Sequence, residues 1–316
     1  MAVIHPKLSL TPRDVFKLFN DAPFGLTSFG RQVRNDLDAF SLAIHTGLVD
    51  ISIAPTCSCG NLNETWSEKR NAENSYQGFQ WECGKTVRGY RCRQTISITS
   101  GTFFNDVRFS WIKVWDLCLN WFFQTPVINA GNQVGCGKDA AMDWYSFCRE
   151  VCYDVVFQMD MCIGGGLHVE IDETHLFKRK YNRGRQLAAE HVWVFGGICR
   201  ESKEAFVQVV PNRSGNTLWP IIQHRVHPVN HRYHFVDPNN PNVHTNTIER
   251  TWGLLKGTVH GSMNNERLEM YLGEFIYRRH FFKAITNTDK QASGRYFEVF
   301  LQHVREMYPG TQNGGM

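Results

Sequence analysis

The sequence predicts a mixed α/β protein in which a cysteine-bearing region of short strands precedes helices and then a sheet. Three observations lead to this prediction. Paired cysteines punctuate strand-like runs in 55–100, apolar residues recur at helical spacing in 107–158, and three strand-like runs lead into a helical one in 167–225. Blocks of strands and helices in this arrangement are typical of domains that bury one face of a sheet against helices.

Composition allows more than one ordinary core, since the chain has 316 residues of which 42% are hydrophobic and 20% charged. The net charge of +4 does not by itself require a nucleic-acid partner, although basic residues cluster locally. No apolar run reaches the roughly 18 residues of a membrane helix, and the first ten residues lack the apolar core of a secretory signal. We therefore expect no membrane span and a reducing compartment, in which closely spaced cysteines usually bind metal.

The first predicted region, 1–54, is a small helical lead-in. Its first helix is expected to begin at Thr11-Pro12-Arg13-Asp14, because Thr is a favoured N-cap and Pro a favoured first helical residue. Apolar residues follow at Val15, Phe16, Leu18 and Phe19. The lead-in suggests no chemistry of its own.

The second region, 55–105, resembles a zinc ribbon. Zinc prefers four soft ligands in a tetrahedron, and two cysteine-bearing turns can supply them. The predicted ligands are Cys57, Cys59, Cys83 and Cys92. Their spacing is loose, with one residue between the first two and eight between the last two. Four free, half-buried thiols are the alternative, and the six other cysteines are interpreted as core residues.

The third region, 106–162, is predicted to be helical. A Gly-rich break at 129–137 separates two apolar stripes, and Asp139 after the break is a candidate N-cap. The stripes consist of Trp111, Val114, Trp115, Cys118, Leu119 and Phe122, and then Ala141, Trp144, Tyr145, Cys148, Val151, Cys152 and Val155. Two amphipathic helices around a turn allow a helix-turn-helix, and an ordinary packed helical pair is equally compatible with the pattern.

In the fourth region, 163–285, strands are expected at 167–171, 191–198 and 205–210, followed by a helix at 217–225. An acid, Asp172, comes just after the apolar part of the first strand. This is the opening of a ribonuclease H-like fold, which places carboxylates around two metal ions. A basic ribbon follows the strand and is a candidate contact for a DNA backbone, or else a solvated charged face. The ribbon comprises Lys178, Arg179, Lys180, Arg183 and Arg185.

At this point the chain resembles the transposases of the Merlin superfamily of DNA transposons and their bacterial insertion-sequence relatives. Two of the matching motifs are Val169-Glu170-Ile171-Asp172-Glu173-Thr174 and the run from His244-Thr245-Asn246 to Glu249 and Trp252. The other matching pieces lie at 97–104, 143–149, 178–185, 193–197, 210–213, 229–231 and 235–238. Their order and spacing together carry the resemblance.

The resemblance implies a DDE recombinase with a zinc ribbon, a helical DNA-binding part and a ribonuclease H-like catalytic domain, ending in a C-terminal helix and tail at 286–316. On the family's pattern Asp172 is the first catalytic aspartate and Glu249 the catalytic glutamate, with Mg²⁺ or Mn²⁺ as the catalytic cation and Zn²⁺ as the structural one. The implied partners are transposon terminal repeats and target DNA, with a possible homo-oligomer. A nuclear location follows if the source is a eukaryote.

The predicted glutamate and a lysine on its helix have ordinary alternatives. Glu249 would close a capping-box arrangement if Asn246 were the N-cap of its helix. Lys256 lies along the same helix side as Glu249 and is either a phosphate contact or a surface lysine.

The family's second catalytic aspartate has no counterpart. The segment that should carry it would lie between Val226 and His227, and the sequence holds no Asp or Glu between Glu204 and Asp237. Asp237 lies in a Pro/Asn-rich stretch and is a poor substitute. His227, His231 and His244 are interpreted as structural rather than as zinc ligands.

Three hypotheses follow from this loss. The first is a transposase-like protein that binds DNA but is impaired in cutting and joining it, because two-metal chemistry needs several carboxylates at short range. The second is a DNA-binding protein without catalysis, either domesticated or fossil. The third is a coding segment skipped between Val226 and His227.

Overall fold

The computed structural model describes residues 8–21, 23–51, 56–61, 65–68, 79–105, 107–176, 192–227, 245–259, 263–282 and 290–309. The chain divides into two compact units, Met1–Cys148 with Ile285–Met316, and Arg149–Ala284. The protein is mixed α/β, as predicted, with small sheets in both units. No helix in these ranges is long and apolar enough to cross a membrane.

Helices and strands alternate in blocks along the chain. In order, they are α1 (Pro12–Asn20), α2 (Leu26–Gln32), α3 (Asp36–His45), β1 (Thr65–Glu68), β2 (Phe79–Glu82), β3 (Thr86–Val87), β4 (Tyr90–Arg91), β5 (Thr95–Ser97), α4 (Trp111–Phe122), α5 (Val127–Val134), α6 (Lys138–Met159), β6 (Val169–His175), β7 (Trp193–Cys199), β8 (Ala205–Val210), α7 (Gly215–Arg225), α8 (Asn246–Thr258), α9 (Asn265–Phe281) and α10 (Lys290–Met307). Helix α6 begins in the first unit and ends in the second.

The core of the first unit is aromatic. Thr11 caps α1 and forms the reciprocal capping box with Asp14, so the predicted helix start is confirmed. Helix α10 returns to this unit and packs on α1, where a Cβ on Gly294 would lie 2.2 Å from the carbonyl oxygen of Phe19. The ring of Phe297 on α10 contacts those of Phe19, Phe24, Trp115 and Phe122. The last helix therefore completes the core that the lead-in begins.

Helices α4, α5 and α6 form the predicted helical region, with one more helix than expected. The segment interpreted as a Gly-rich break, 129–137, overlaps most of α5, which ends at Gly135 in the left-handed conformation with φ of 68°. Gly131 permits a close approach to the start of α6, since a Cβ there would lie 3.3 Å from the carbonyl oxygen of Cys136. These glycines shape a tight turn between two helices rather than a loop, which is why their number suggested a break.

The first unit also holds two small antiparallel sheets, one with the order β1-β2-β5 and a hairpin of β3 and β4. The hairpin opens from the end of β2 and closes just before β5. These strands are the described part of the region 55–105, which was predicted to resemble a zinc ribbon.

The second unit is built on the antiparallel sheet β6-β7-β8. Side chains alternate between its two faces. One face packs on α8 and α9 through residues that include Val194, Ala205, Ile248, Leu255 and Leu272. The other face packs on α7 and includes Val169, Ile171, Phe195, Phe206, Val210, Leu218 and Ile222.

Strand β6 runs further than predicted, over Val169–His175, and its ladder extends from Val169 opposite Cys199 to His175 opposite Trp193. Asp172 thus lies in mid-strand, opposite Gly196, rather than at a strand end. The apolar run stops early because Glu170 and Asp172 occupy the α8 face, where both find hydrogen-bond donors. Strand β8 has the predicted bounds, and α9 packs on the sheet as expected.

Candidate functional site

Four cysteine sulfurs converge in the first unit. The Sγ atoms of Cys57, Cys59, Cys83 and Cys92 all lie within 4.8 Å of one another. Cys57 is 3.8 Å from Cys92 and Cys59 is 3.6 Å from Cys83. A disulfide would need about 2.05 Å, whereas tetrahedral coordination with Zn–S bonds of about 2.3 Å places the sulfurs about 3.8 Å apart. The four thiols can therefore hold a metal ion such as zinc.

Tight turns bring the four cysteines together despite their irregular spacing in the sequence. The N–H of Cys57 donates to the carbonyl of Asn61 at 2.6 Å, the N–H of Gly60 donates back to Cys57 at 2.8 Å, and Gly60 has φ of 76°. Across the hairpin, the N–H of Cys92 donates to the carbonyl of Lys85 at 2.7 Å. Each pair of cysteines is thus presented by a hydrogen-bonded turn, and β2 and the hairpin bring the two turns together.

The thiols of the cluster differ in acidity. The backbone N–H of Lys85 and the side-chain amide of Asn61 lower the pKa of Cys83 to about 7. Desolvation and hydrogen bonds that the Cys59 thiol makes to the neighbouring cysteines raise the pKa of Cys59 to about 12. Cys83 thus readily becomes the thiolate that a metal ion needs, and binding of an ion would deprotonate the others.

The other cysteines are less uniform than predicted. Cys118, Cys148, Cys152 and Cys199 are buried, but Cys136 is half-buried and Cys162 is exposed. Cys162 lies just after α6, where its thiol donates to the carbonyl of His224 at 2.9 Å. It is therefore not a core residue.

Asp172 faces helix α8 from the middle of β6. Its Oδ2 accepts a hydrogen bond of 3.0 Å from the indole Nε1 of Trp252. The ring of Trp252 lies on Gly196, where a Cβ would meet it at 2.7 Å. Gly196 pairs with Asp172 across the two strands. Because Gly196 has no side chain, the indole can pack against the sheet and reach the carboxylate.

Glu249 lies on α8, three residues before Trp252 and hence about one turn away. It is exposed, and its Oε1 accepts a hydrogen bond of 2.8 Å from the hydroxyl of Thr245. The helix begins one residue earlier than a cap at Asn246 would require, with Thr245 as the N-cap. The alternative in which Asn246 is the N-cap and Glu249 closes a capping box therefore does not apply. Lys256 is exposed one turn beyond Trp252.

Glu170 is a site residue that was not predicted from the sequence. It is 6% exposed and accepts hydrogen bonds of 2.9 Å each from the N–H groups of Thr247 and Ile248 in the first turn of α8. Arg200 also donates to its carboxylate. Burial raises the pKa of Glu170, but these donors outweigh it and the net pKa is lowered. The available signal was an acid at the same strand face as Asp172, between two apolar residues.

The described acids do not fit a two-metal centre. The charge of Glu170 is already neutralised by Arg200 and the N-terminus of α8. One carboxylate oxygen of Asp172 already accepts a hydrogen bond from Trp252. Within the ranges that the structure describes, the four cysteines are the one group of three or more potential ligands placed to share an ion. Asp172 and Glu249 lie on facing elements, and the acid nearest to them along β6, Glu170, is already engaged by Arg200 and α8.

Several predicted residues lie outside the described residues. They are the basic ribbon of Lys178, Arg179, Lys180, Arg183 and Arg185, together with Asp237, His231 and His244. His227 is described and exposed, and its backbone N–H donates to the carbonyl of Ile163 at 2.9 Å.

The chain matches no protein-family model, no curated protein and no solved structure. The geometry of its own residues therefore carries the functional conclusion.

Proposed function

We propose that this chain is a transposon-derived protein of the DDE-transposase type, which binds DNA and is impaired in cutting and joining DNA strands. The observation that carries the proposal is the relation of Asp172 and Glu249. An acid in the middle of the first strand of the β6-β7-β8 meander faces the helix that bears the glutamate. A ribonuclease H-like domain would use this strand and this helix to bring carboxylates together.

Impairment follows from the number of acids. Two-metal phosphodiester chemistry holds two cations about 4 Å apart, and hard divalent ions need several oxygen ligands. The proposed site for one Mg²⁺ or Mn²⁺ consists of Asp172 and Glu249, and no acid lies between Glu204 and Asp237 to complete a pair of sites. We expect weak binding of one divalent cation and little strand transfer.

The proposed structural cation is Zn²⁺ at the four cysteines, because four sulfur ligands with these separations suit zinc. The metal would tie the turn at Cys57 and Cys59 to the hairpin. In the proposed protein this region and the helices after it form the DNA-binding part.

The turn between α5 and α6 suits a helix-turn-helix, whereas the predicted pair corresponds to α4 and α6 with α5 between them. Gly131 and Gly135 allow the tight turn that such a motif needs. The exposed start of α6, however, carries Asp139 and Asp143 beside Lys138, so it gains little attraction for phosphates. Basic residues elsewhere must then supply much of the affinity for DNA.

A combined binding and cleavage experiment tests the proposal. The full chain is incubated with a duplex carrying the DNA that flanks its gene, in the presence of Mg²⁺ or Mn²⁺. We expect salt-dependent binding without efficient cutting. Robust cutting that is lost in Asp172→Asn and kept in the neighbouring control Glu173→Gln would show that the chemistry is intact. Absence of DNA binding would contradict the proposal as a whole.

The second candidate is a DNA-binding protein without any catalysis, domesticated or fossil. The engagement of Asp172 by the indole of Trp252 favours it, since that oxygen already has a donor. Binding that survives Asp172→Asn with Glu249→Gln, fails to respond to Mn²⁺, and is lost on zinc chelation would support this candidate over the first.

A further inference from the structure

The hairpin of β3 and β4 is short and held at its base. Thr86 pairs with Arg91 and Val87 pairs with Tyr90. Arg88 and Gly89 form the two-residue turn, with φ of 51° and 79°. Positive φ at both positions is the pattern of a type I′ turn, which matches the twist of paired strands. The two ends run into Cys83 and Cys92 of the cysteine cluster, so a bound metal would anchor the hairpin.

The hairpin carries a concentrated positive charge. Lys85, Arg88, Arg91 and Arg93 are all exposed, and the sequence has no acid between Glu82 and Asp106. These four charges equal the net charge of the whole chain, +4. Among the described residues, no carboxylate forms an ion pair with any of the four. Charge of this density, with no carboxylate partner among the described residues, is complementary to a polyanion.

An aromatic ring stands among these charges. Tyr90 is 82% exposed and its cross-strand neighbour Val87 is 40% exposed, so the tip combines a large ring and an apolar side chain with cations. Exposed aromatic rings beside basic residues are the pattern by which proteins stack on bases or sugars while binding phosphates.

We propose that the β3–β4 hairpin is a DNA contact, in which Lys85, Arg88, Arg91 and Arg93 bind adjacent phosphates and Tyr90 stacks on an accessible base or sugar. The inference rests on the proposed DNA-binding function and assigns it a surface. The four cations lie within nine consecutive residues of one short hairpin and its ends, so they can reach neighbouring phosphates of one strand. The metal at the base would make the contact depend on the four cysteines.

The main test compares two charge-matched variants of the full chain. Arg88→Asn with Arg91→Gln removes two hairpin charges, with Asn chosen because it tolerates positive φ. Arg13→Gln with Lys17→Gln removes two exposed charges from α1 as the control. Fluorescence anisotropy with a labelled random duplex of about 20 base pairs, at several salt concentrations, measures both. The hairpin variant should lose about 2 from the slope of log affinity against log salt and bind at least about tenfold more weakly at low salt. The control should behave like the unchanged chain.

Tyr90→Ala tests stacking separately. It should weaken binding of a labelled single strand at least about fivefold while leaving the salt slope unchanged. Zinc content equal to that of the unchanged chain shows that each variant retains its fold in this region. A second measurement avoids variants altogether, since DNA should protect Lys85 from acetylation while Lys17 reacts freely.

The outcomes separate this inference from the proposed function. If the unchanged chain binds DNA but neither hairpin variant loses affinity and Lys85 remains reactive, the hairpin is not the contact and the proposed function stands. If the unchanged chain binds no DNA, both fail. Tighter binding to an RNA of the same sequence would overturn DNA as the partner.

Discussion

The carboxylate of Glu170 on β6 accepts a 2.9 Å hydrogen bond from the backbone N–H of Ile248 in the first turn of α8. Two residues further along the strand, Asp172 accepts a hydrogen bond from Trp252 in the next turn of the same helix. Two acids on one strand face thus set the position of α8 along β6. The placement of Glu249 relative to Asp172 depends on both, because Glu249 lies between the two tethered turns.

Glu170→Gln should destabilise the second unit by about 3 kcal/mol, because it leaves the half-buried Arg200 and the first-turn amides of α8 without the buried carboxylate. The control is Glu173→Gln on the same strand, whose ion pair with Arg213 is partly exposed and should contribute no more than about 1 kcal/mol. Chemical denaturation measures both free energies of unfolding. Equal losses in the two variants would show that Glu170 has no special role.

Stability should also depend on pH through Glu170. Its carboxyl has a lowered pKa in the folded chain, so the folded state binds a proton less readily than the unfolded state. The stabilisation is therefore present above the ordinary pKa of 4.5 and is lost as the pH falls below it through the folded pKa. Denaturation curves between about pH 3 and 7 should show a smaller acid-side loss in Glu170→Gln than in the unchanged chain. An identical pH profile in the two would contradict this.

Gly196→Ala should cost about 1–3 kcal/mol by overpacking. Its Cβ would lie 2.6 Å from the carbonyl oxygen of Phe206 and 2.7 Å from the ring of Trp252, and the backbone contact has little freedom to relax. Gly253→Ala, at an exposed position of α8, is the control, since nothing lies within 4 Å of its Cβ. That change should stabilise the helix by up to about 1 kcal/mol. Thermal unfolding of the two variants should therefore shift in opposite directions.

Replacing Cys59 by Ala should reduce zinc affinity more than about 100-fold, because one of the four proposed direct ligands is lost. Removing a residue that only hydrogen-bonds to a ligand typically costs up to roughly 100-fold. Cys162→Ala is the control, since Cys162 is exposed and outside the cluster. Metal content after purification and competition with a coloured chelator measure the effect. Full zinc retention in Cys59→Ala would exclude Cys59 as a ligand.

Much of the local structure could be predicted from residue order alone. The cap at Thr11, the buried stripe from Trp111 to Phe122, and strand β8 follow from short-range preferences and periodicity. The convergence of the four cysteines was predicted as well, because few other arrangements place so many thiols in short turns. The assignment to the Merlin-type transposases stays a prediction.

Tertiary structure alone decided how the acids are used. The sequence by itself determined that Asp172 follows an apolar run and that Glu249 lies near the start of a helix, but Glu170 looked like an ordinary strand residue. Its importance arises because α8, distant in the chain, brings its unpaired first-turn amides to β6. The same cause placed Trp252 against Gly196 and Asp172. Such contacts join residues about 80 positions apart, so they cannot be predicted from local sequence preferences.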